Sequence, residues 1–159
     1  MNIILTIKKA AIYDEVAKLT GYVGAKTIED TGKAYDRVFT TDDDRFMLER
    51  FWREAVGSIT DEVKRFIVSV STPANSQLVD ITEVWTATLD MPSNFDSNLT
   101  ESINDSLLSY SVNSIASKWF AITNKEESDK YNGMAFLAGN EVKSKLYYRK
   151  KPQRVVPSI

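Results

Sequence analysis

The chain has 159 residues, a formal net charge of −2, and 43% hydrophobic against 26% charged side chains, a balance that fits one folded domain and excludes a disordered or fibrous polypeptide. It contains neither Cys nor His, which removes imidazole-activated nucleophiles, Cys/His zinc sites, thiol redox centres and disulfide staples. Carboxylate, lysine and tyrosine chemistry remains, but the sequence shows no constellation that would use it, so no catalytic residue, metal site or cofactor is expected.

Met1 to Ile7 is apolar over only a few positions, and Lys8 and Lys9 follow the apolar run, the reverse of a secretory signal. Nothing approaches the ~20 apolar residues that cross a bilayer, so the expected location is the cytoplasm or a particle assembled there, without membrane contact. From about Ile7 to Lys18 the residues Ile7, Ala11, Ile12, Val16 and Leu19 recur at helical spacing, with Thr6 as a possible cap. Gly21, Gly24 and Gly32 then interrupt the pattern, and residues 21–40 read as a loop with a helical turn near 34–38.

The strongest helical signal follows. Thr41 is placed as an N-cap, and Asp42, Asp43 and Asp44 set carboxylates in the first turn, where free amides and the helix dipole favour them. Consecutive helical residues point in different directions, so capping accounts for this run better than a metal site does. Phe46, Met47, Phe51, Val56, Ile59, Val63 and Phe66 continue at helical spacing, predicting a helix of some 25 residues, about 37 Å long.

The period then changes. Residues 66–71 and 78–91 alternate as two strands joined by a loop containing Pro73 and Asn75, with Val79, Ile81, Trp85, Ala87 and Leu89 on one face of the second. Thr82, Thr86 and Thr88 occupy its other face, which suits solvent or a partner. Since one hairpin alone is marginal in water, it must rest on the helices or pair with another chain.

Pro92 ends the strand. The helical period returns from Leu99 to Thr123 through Ile103, Leu107, Tyr110, Ser114, Ala116 and Trp119. Asn124 and Glu127 have capping-box spacing for a last helix through Tyr131, Met134, Ala135, Leu137, Ala138, Val142 and Leu146 to about Arg149, antiparallel to its predecessor. The reading is a mainly α single domain over residues 1–159: a bundle of about four helices with an inserted β-hairpin near 66–91. Trp52, Trp85 and Trp119 are assigned to its core.

Charge is unevenly distributed. Residues 143–154 carry Lys143, Lys145, Arg149, Lys150, Lys151 and Arg154 and no acid; removing this +6 from the total of −2 leaves −8 for the rest. These cations, with Tyr147 and Tyr148, are the candidate interface or DNA-facing residues of a basic C-terminal tail over 143–159. Three roles compete: approach to phosphates, contact with an acidic neighbouring subunit, or complementing the dipole of the last helix. One of the two tyrosines is expected in the core and the other on the surface.

The run Thr41 to Arg65 (TDDDRFMLERFWREAVGSITDEVKR) and the run Ile115 to Pro152, with Lys118-Trp119-Phe120, Asn124-Lys125-Glu126 and Leu146-Tyr147-Tyr148-Arg149-Lys150-Lys151-Pro152, resemble small head-to-tail connector proteins of tailed bacteriophages. The likeness is to the adaptor or ring proteins of crAss-like and related phages of gut bacteria; it covers most of the chain after position 40 and finds no counterpart for residues 21–40. It implies a structural, non-catalytic virion protein of the neck, assembled in the host cytoplasm. Such a protein forms a homo-oligomeric ring, usually of twelve copies, between the portal protein and the tail or other neck proteins, around the passage for DNA. Two other classes remain open: a nucleic-acid-binding regulator using the basic C-terminal helix, against which the acidic pI of about 5.3 argues, and a carboxylate- or lysine-dependent enzyme.

Overall fold

The computed structural model describes residues 1–26, 40, 44–71 and 82–155. Among them are four helices and one three-stranded antiparallel sheet: β1 (Asn2–Lys8), α1 (Lys9–Lys26), α2 (Arg45–Val63), β2 (Ile67–Val70), β3 (Val84–Asp90), α3 (Thr100–Thr123) and α4 (Lys125–Tyr147). The mainly helical architecture is the expected one. The placements of Thr41, Asp42, Asp43, Pro73, Asn75, Val79, Ile81 and the turn near 34–38 fall outside the described residues.

The opening segment differs from expectation. Thr6 and Ile7 lie inside β1 and not at a helix start, with Ile3, Leu5 and Ile7 buried and the alternate residues outward. The cause is a distant partner: β1 pairs with β3 over its whole length, from Asn2 opposite Asp90 to Lys8 opposite Val84. β3 is therefore the central strand, flanked by β1 on one side and β2 on the other, so the expected hairpin is two-thirds of a sheet. A bulge between Ile67 and Ser69 turns Val68 to the surface. Trp85, Ala87 and Leu89 face the core as expected, and Trp85 Nε1 donates to Thr60 Oγ1 of α2 at 3.3 Å.

Helix α1 runs on through Gly21 and Gly24, where a loop is expected. Burial of Ile12, Tyr13, Val16, Thr20 and Val23 along one face outweighs about 1 kcal/mol of propensity lost at each glycine. Helix α2 is shorter than its sequence suggests, ending at Val63 before a 3₁₀ turn over Lys64–Phe66. Its inner face holds Leu48, Phe51, Trp52, Ala55, Val56, Ile59 and Val63, while Phe46 and Met47, read as part of the apolar stripe, are exposed.

Helix α3 is the axis of the molecule, in contact with α1, α2, α4 and β1. Apolar residues on several sides of it are buried accordingly, from Ile103 and Leu107 to Val112, Ile115, Trp119 and Phe120. Ser106, Ser111 and Ser117 are buried with them, and each hydroxyl is bonded: Ser111 Oγ donates to Leu107 O at 2.8 Å. Only Asn124 separates α3 from α4, and it does so with extended backbone and no side-chain cap, so the expected capping box does not form. The two helices are instead clasped by reciprocal bonds, Ser117 Oγ to Ser128 O at 3.1 Å and Ser128 Oγ to Ser117 O at 2.9 Å. The Phe120 and Tyr131 rings pack 5.2 Å apart beside them.

Among the described residues, one charged group lies inside. Lys9, the first residue of α1, is 0% exposed; its Nζ meets Glu49 of α2 at 2.6 Å and Glu83, just before β3, at 2.7 Å. Lys9 N also donates to Glu83 O at 3.1 Å, and Nζ lies 6.0 Å from the Trp52 ring centroid. Around it, Tyr13 Oη donates to Glu49 at 3.0 Å and Arg53 pairs with Glu49 at 3.4 Å. Lys9→Met leaves two largely buried carboxylates without their shared cation. It is expected to lower unfolding free energy by about 3–5 kcal/mol, read from urea denaturation.

Burial, then the charge of Glu49 and the bond to it, hold the Tyr13 phenol well above its ordinary value of 10.0. The folded chain thus keeps this proton to higher pH than the unfolded chain does, so the stability contributed by Tyr13 is complete below pH 10 and falls above it. Tyr13→Phe is expected to cost about 1 kcal/mol near neutrality and to flatten the alkaline decline in a stability–pH profile.

Candidate functional site

The basic run begins within the last two turns of α4 and leaves the helix at Tyr148, whose backbone is extended. Tyr131, Ala135, Ala138, Val142 and Leu146 form the inward stripe that docks α4 on α3, and the cations occupy the flanks. Lys143 and Lys145, two residues apart, diverge by about 200° around the helix axis. Lys143 Nζ reaches Glu62 near the end of α2 at 3.1 Å. Lys145 Nζ turns to the start of α3, bonding Ser106 Oγ at 2.6 Å and Ser102 O at 3.1 Å, with Glu141 at 3.8 Å.

Arg149 folds back on the helix end, its Nη1 donating to Leu146 O and Tyr148 O at 2.7 Å each. This satisfies terminal carbonyls and sets a positive charge at the negative end of the dipole. Lys150 fastens the departing chain: its N–H donates to Asn94 O at 2.9 Å and its ammonium meets Asp96 at 3.2 Å. Asp96 is in turn held below the usual carboxylate range, chiefly by the Asn98 N–H it accepts and further by Lys150. Lys151 and Arg154 extend beyond this anchor, exposed and, among the described residues, without a carboxylate partner.

The eight candidate residues therefore do not converge on one patch. Lys143, Lys145, Arg149 and Lys150 are engaged with the body, and only Lys151 and Arg154 project from it. Tyr147 and Tyr148 are both exposed, against the expected division between core and surface, although the Tyr147 ring lies 5.5 Å from that of Phe66.

Other surface features lie where sequence reasoning does not place them. Met134 and Leu137, read as part of the inward stripe of α4, are exposed, as is Phe136 between them. Their signal was available: the stripe set by Tyr131, Ala135, Ala138 and Val142 already completes one helix face, leaving Phe136 and Leu137 outside it. Beside them an open groove of about 430 Å³ is lined by Glu62, Tyr110, Ser114, Phe136, Gly139 and Lys143. Among the described residues, no three carboxylates are grouped so as to hold a metal ion, and no helix is long and apolar enough to cross a membrane.

Lys150→Met is expected to raise the Asp96 carboxyl toward its ordinary value, but only in part, because the Asn98 N–H remains; a carboxyl-carbon NMR titration reads both. Comparison with protein-family models, with curated proteins and with solved structures finds no match to the chain.

Proposed function

We propose that the chain is a non-catalytic structural subunit of a tailed-phage neck, forming a ring between portal and tail that surrounds the DNA passage and docking on its neighbours through the segment that follows α4. The supporting likeness is the one carried by residues 41–65 and 115–152. The observation that carries the reading is the fate of the chain after Lys150. Having been anchored to Asn94 and Asp96, it continues through Lys151, Pro152, Gln153, Arg154 and Val155 in exposed conformation, with Val155 89% exposed.

These residues contribute little to their own fold, yet they carry two unengaged cations and an apolar side chain next to a body whose net charge is −4 once those two are taken from the total of −2. A basic, extended segment of this kind suits an acidic surface on a second subunit. The tethering of Lys143, Lys145, Arg149 and Lys150 leaves too few free cations for strong phosphate binding by one copy.

The test is assembly. Purified chain mixed with the portal of the same phage is expected to form a ring visible by electron microscopy. Lys151→Glu with Arg154→Glu is expected to abolish it while leaving the circular dichroism spectrum unchanged. A chain that never joins the neck removes the proposal; affinity of the isolated chain for DNA that falls steeply with salt replaces it with a nucleic-acid-binding role.

A further inference from the structure

The segment that follows α4 is held by its own chain at one point only a short way past the helix. Between the last turn of α4 and Lys150 stand Tyr148 and Arg149, and Arg149 closes the helix by binding its terminal carbonyls. The direction of the chain beyond is set by the acceptor at residues 94–96, which its own contacts hold. Phe95 is 2% exposed, and its N–H donates to Pro92 O at 2.9 Å to close a turn. Asp96 leads the 3₁₀ segment Ser97–Leu99, its carboxylate accepting Asn98 N–H at 3.2 Å and its carbonyl accepting Leu99 N–H at 3.0 Å.

Lys150 meets this acceptor twice, through its backbone N–H on Asn94 O and its ammonium on Asp96. An exposed ion pair alone contributes little, but the backbone bond beside it fixes the main chain as well as the side chain. The next two residues add stiffness: Pro152 locks its own φ and restricts Lys151 to extended conformations. Lys151, Pro152, Gln153 and Arg154 then stand exposed beyond the anchor.

We infer that Lys150 is the positioning residue of this terminal arm, a conclusion that rests on the docking role proposed above. By fastening to Asn94 and Asp96 of its own chain, Lys150 presents Lys151 and Arg154 to a neighbouring subunit in a fixed direction and does not touch that subunit itself. The physical gain is preorganisation. An arm that leaves the helix free must be ordered at the moment of docking, and that entropy is subtracted from the contact; an arm already fastened loses less.

Two readouts on the full chain test this, one in the free subunit and one in assembly. Lys150→Glu sets two carboxylates against each other and Asp96→Lys two ammonium groups. Each is expected to abolish the protection of the residue-150 amide against hydrogen exchange, and the two together to restore it. Because the chain has no Cys, a nitroxide on Gln153→Cys reports the arm itself. Its spectrum is expected to sharpen in each single variant and to broaden again in the double one. In assembly with the portal of the same phage, each single variant is expected to raise the concentration for half-maximal ring formation about tenfold, and the double variant to reverse the rise.

Single variants that leave the arm fastened, a double variant that leaves it free, or a freed arm that assembles as well as the wild type overturns the inference. So does assembly that stays lost in the double variant although the arm is fastened again, because Lys150 then contacts the neighbour directly. A wild-type chain that never joins the neck removes the ring and this inference with it. A wild-type ring indifferent to both single variants removes the inference alone.

Discussion

The ammonium of Lys9 is the point on which three parts of the molecule converge. It sits where β1 becomes α1, and its two carboxylate partners come from α2 and from the entrance to β3. A fully buried cation is costly unless its hydrogen bonds and its charge are both answered, so the position of each partner is constrained by the others. Glu49 is held by Tyr13 and Arg53, and Glu83 is held by the backbone bond from Lys9 itself. The strand–helix junction, α2 and the central strand are thereby placed in register by one small set of atoms.

From this corner the helices are arranged around α3, whose buried serines are bonded, so that it passes through the centre without unsatisfied hydroxyls at those positions. The exchange between Ser117 and Ser128 bridges α3 and α4 close to their short connection, and the small Ala135 and Ala138 of α4 are buried in the seam farther along. The result is a clasped helical pair whose outer side remains open, with the charged groups at its far end mostly tied back to α2, α3 and the Asn94–Asp96 stretch. Engagement of those cations with their own chain leaves the exposed segment beyond Lys150, and the uncovered side of α4, as the surfaces most available to other molecules.

Helices were legible wherever apolar spacing persisted: α3, α4 and most of α2 follow from periodicity, and the β2–β3 pair from alternation. β1 was not, because Ile3, Ile4 and Leu5 are consecutive apolar residues that blur a period of two, and because its partner lies some 80 residues away. Gly21 and Gly24 misled because propensity is local whereas burial of Val23 is tertiary. At the candidate site the cations themselves could be read from the sequence, but their directions could not. Lys143 and Lys145 share a short run yet serve opposite flanks, and only the packing of α4 on α3 decides which carboxylate or hydroxyl each one meets.

The pairing of β1 with β3 also imposes an order of events at the ribosome. The first strand to be synthesised has no sheet to join until Val84–Asp90 has emerged, by which time α1 and α2 have left the exit tunnel. During that interval the apolar side chains of Ile3, Leu5 and Ile7 have no sheet to cover them, which leaves the nascent chain prone to aggregate. Closure of the sheet is thus a late, long-loop step in the folding of an otherwise locally connected helical protein.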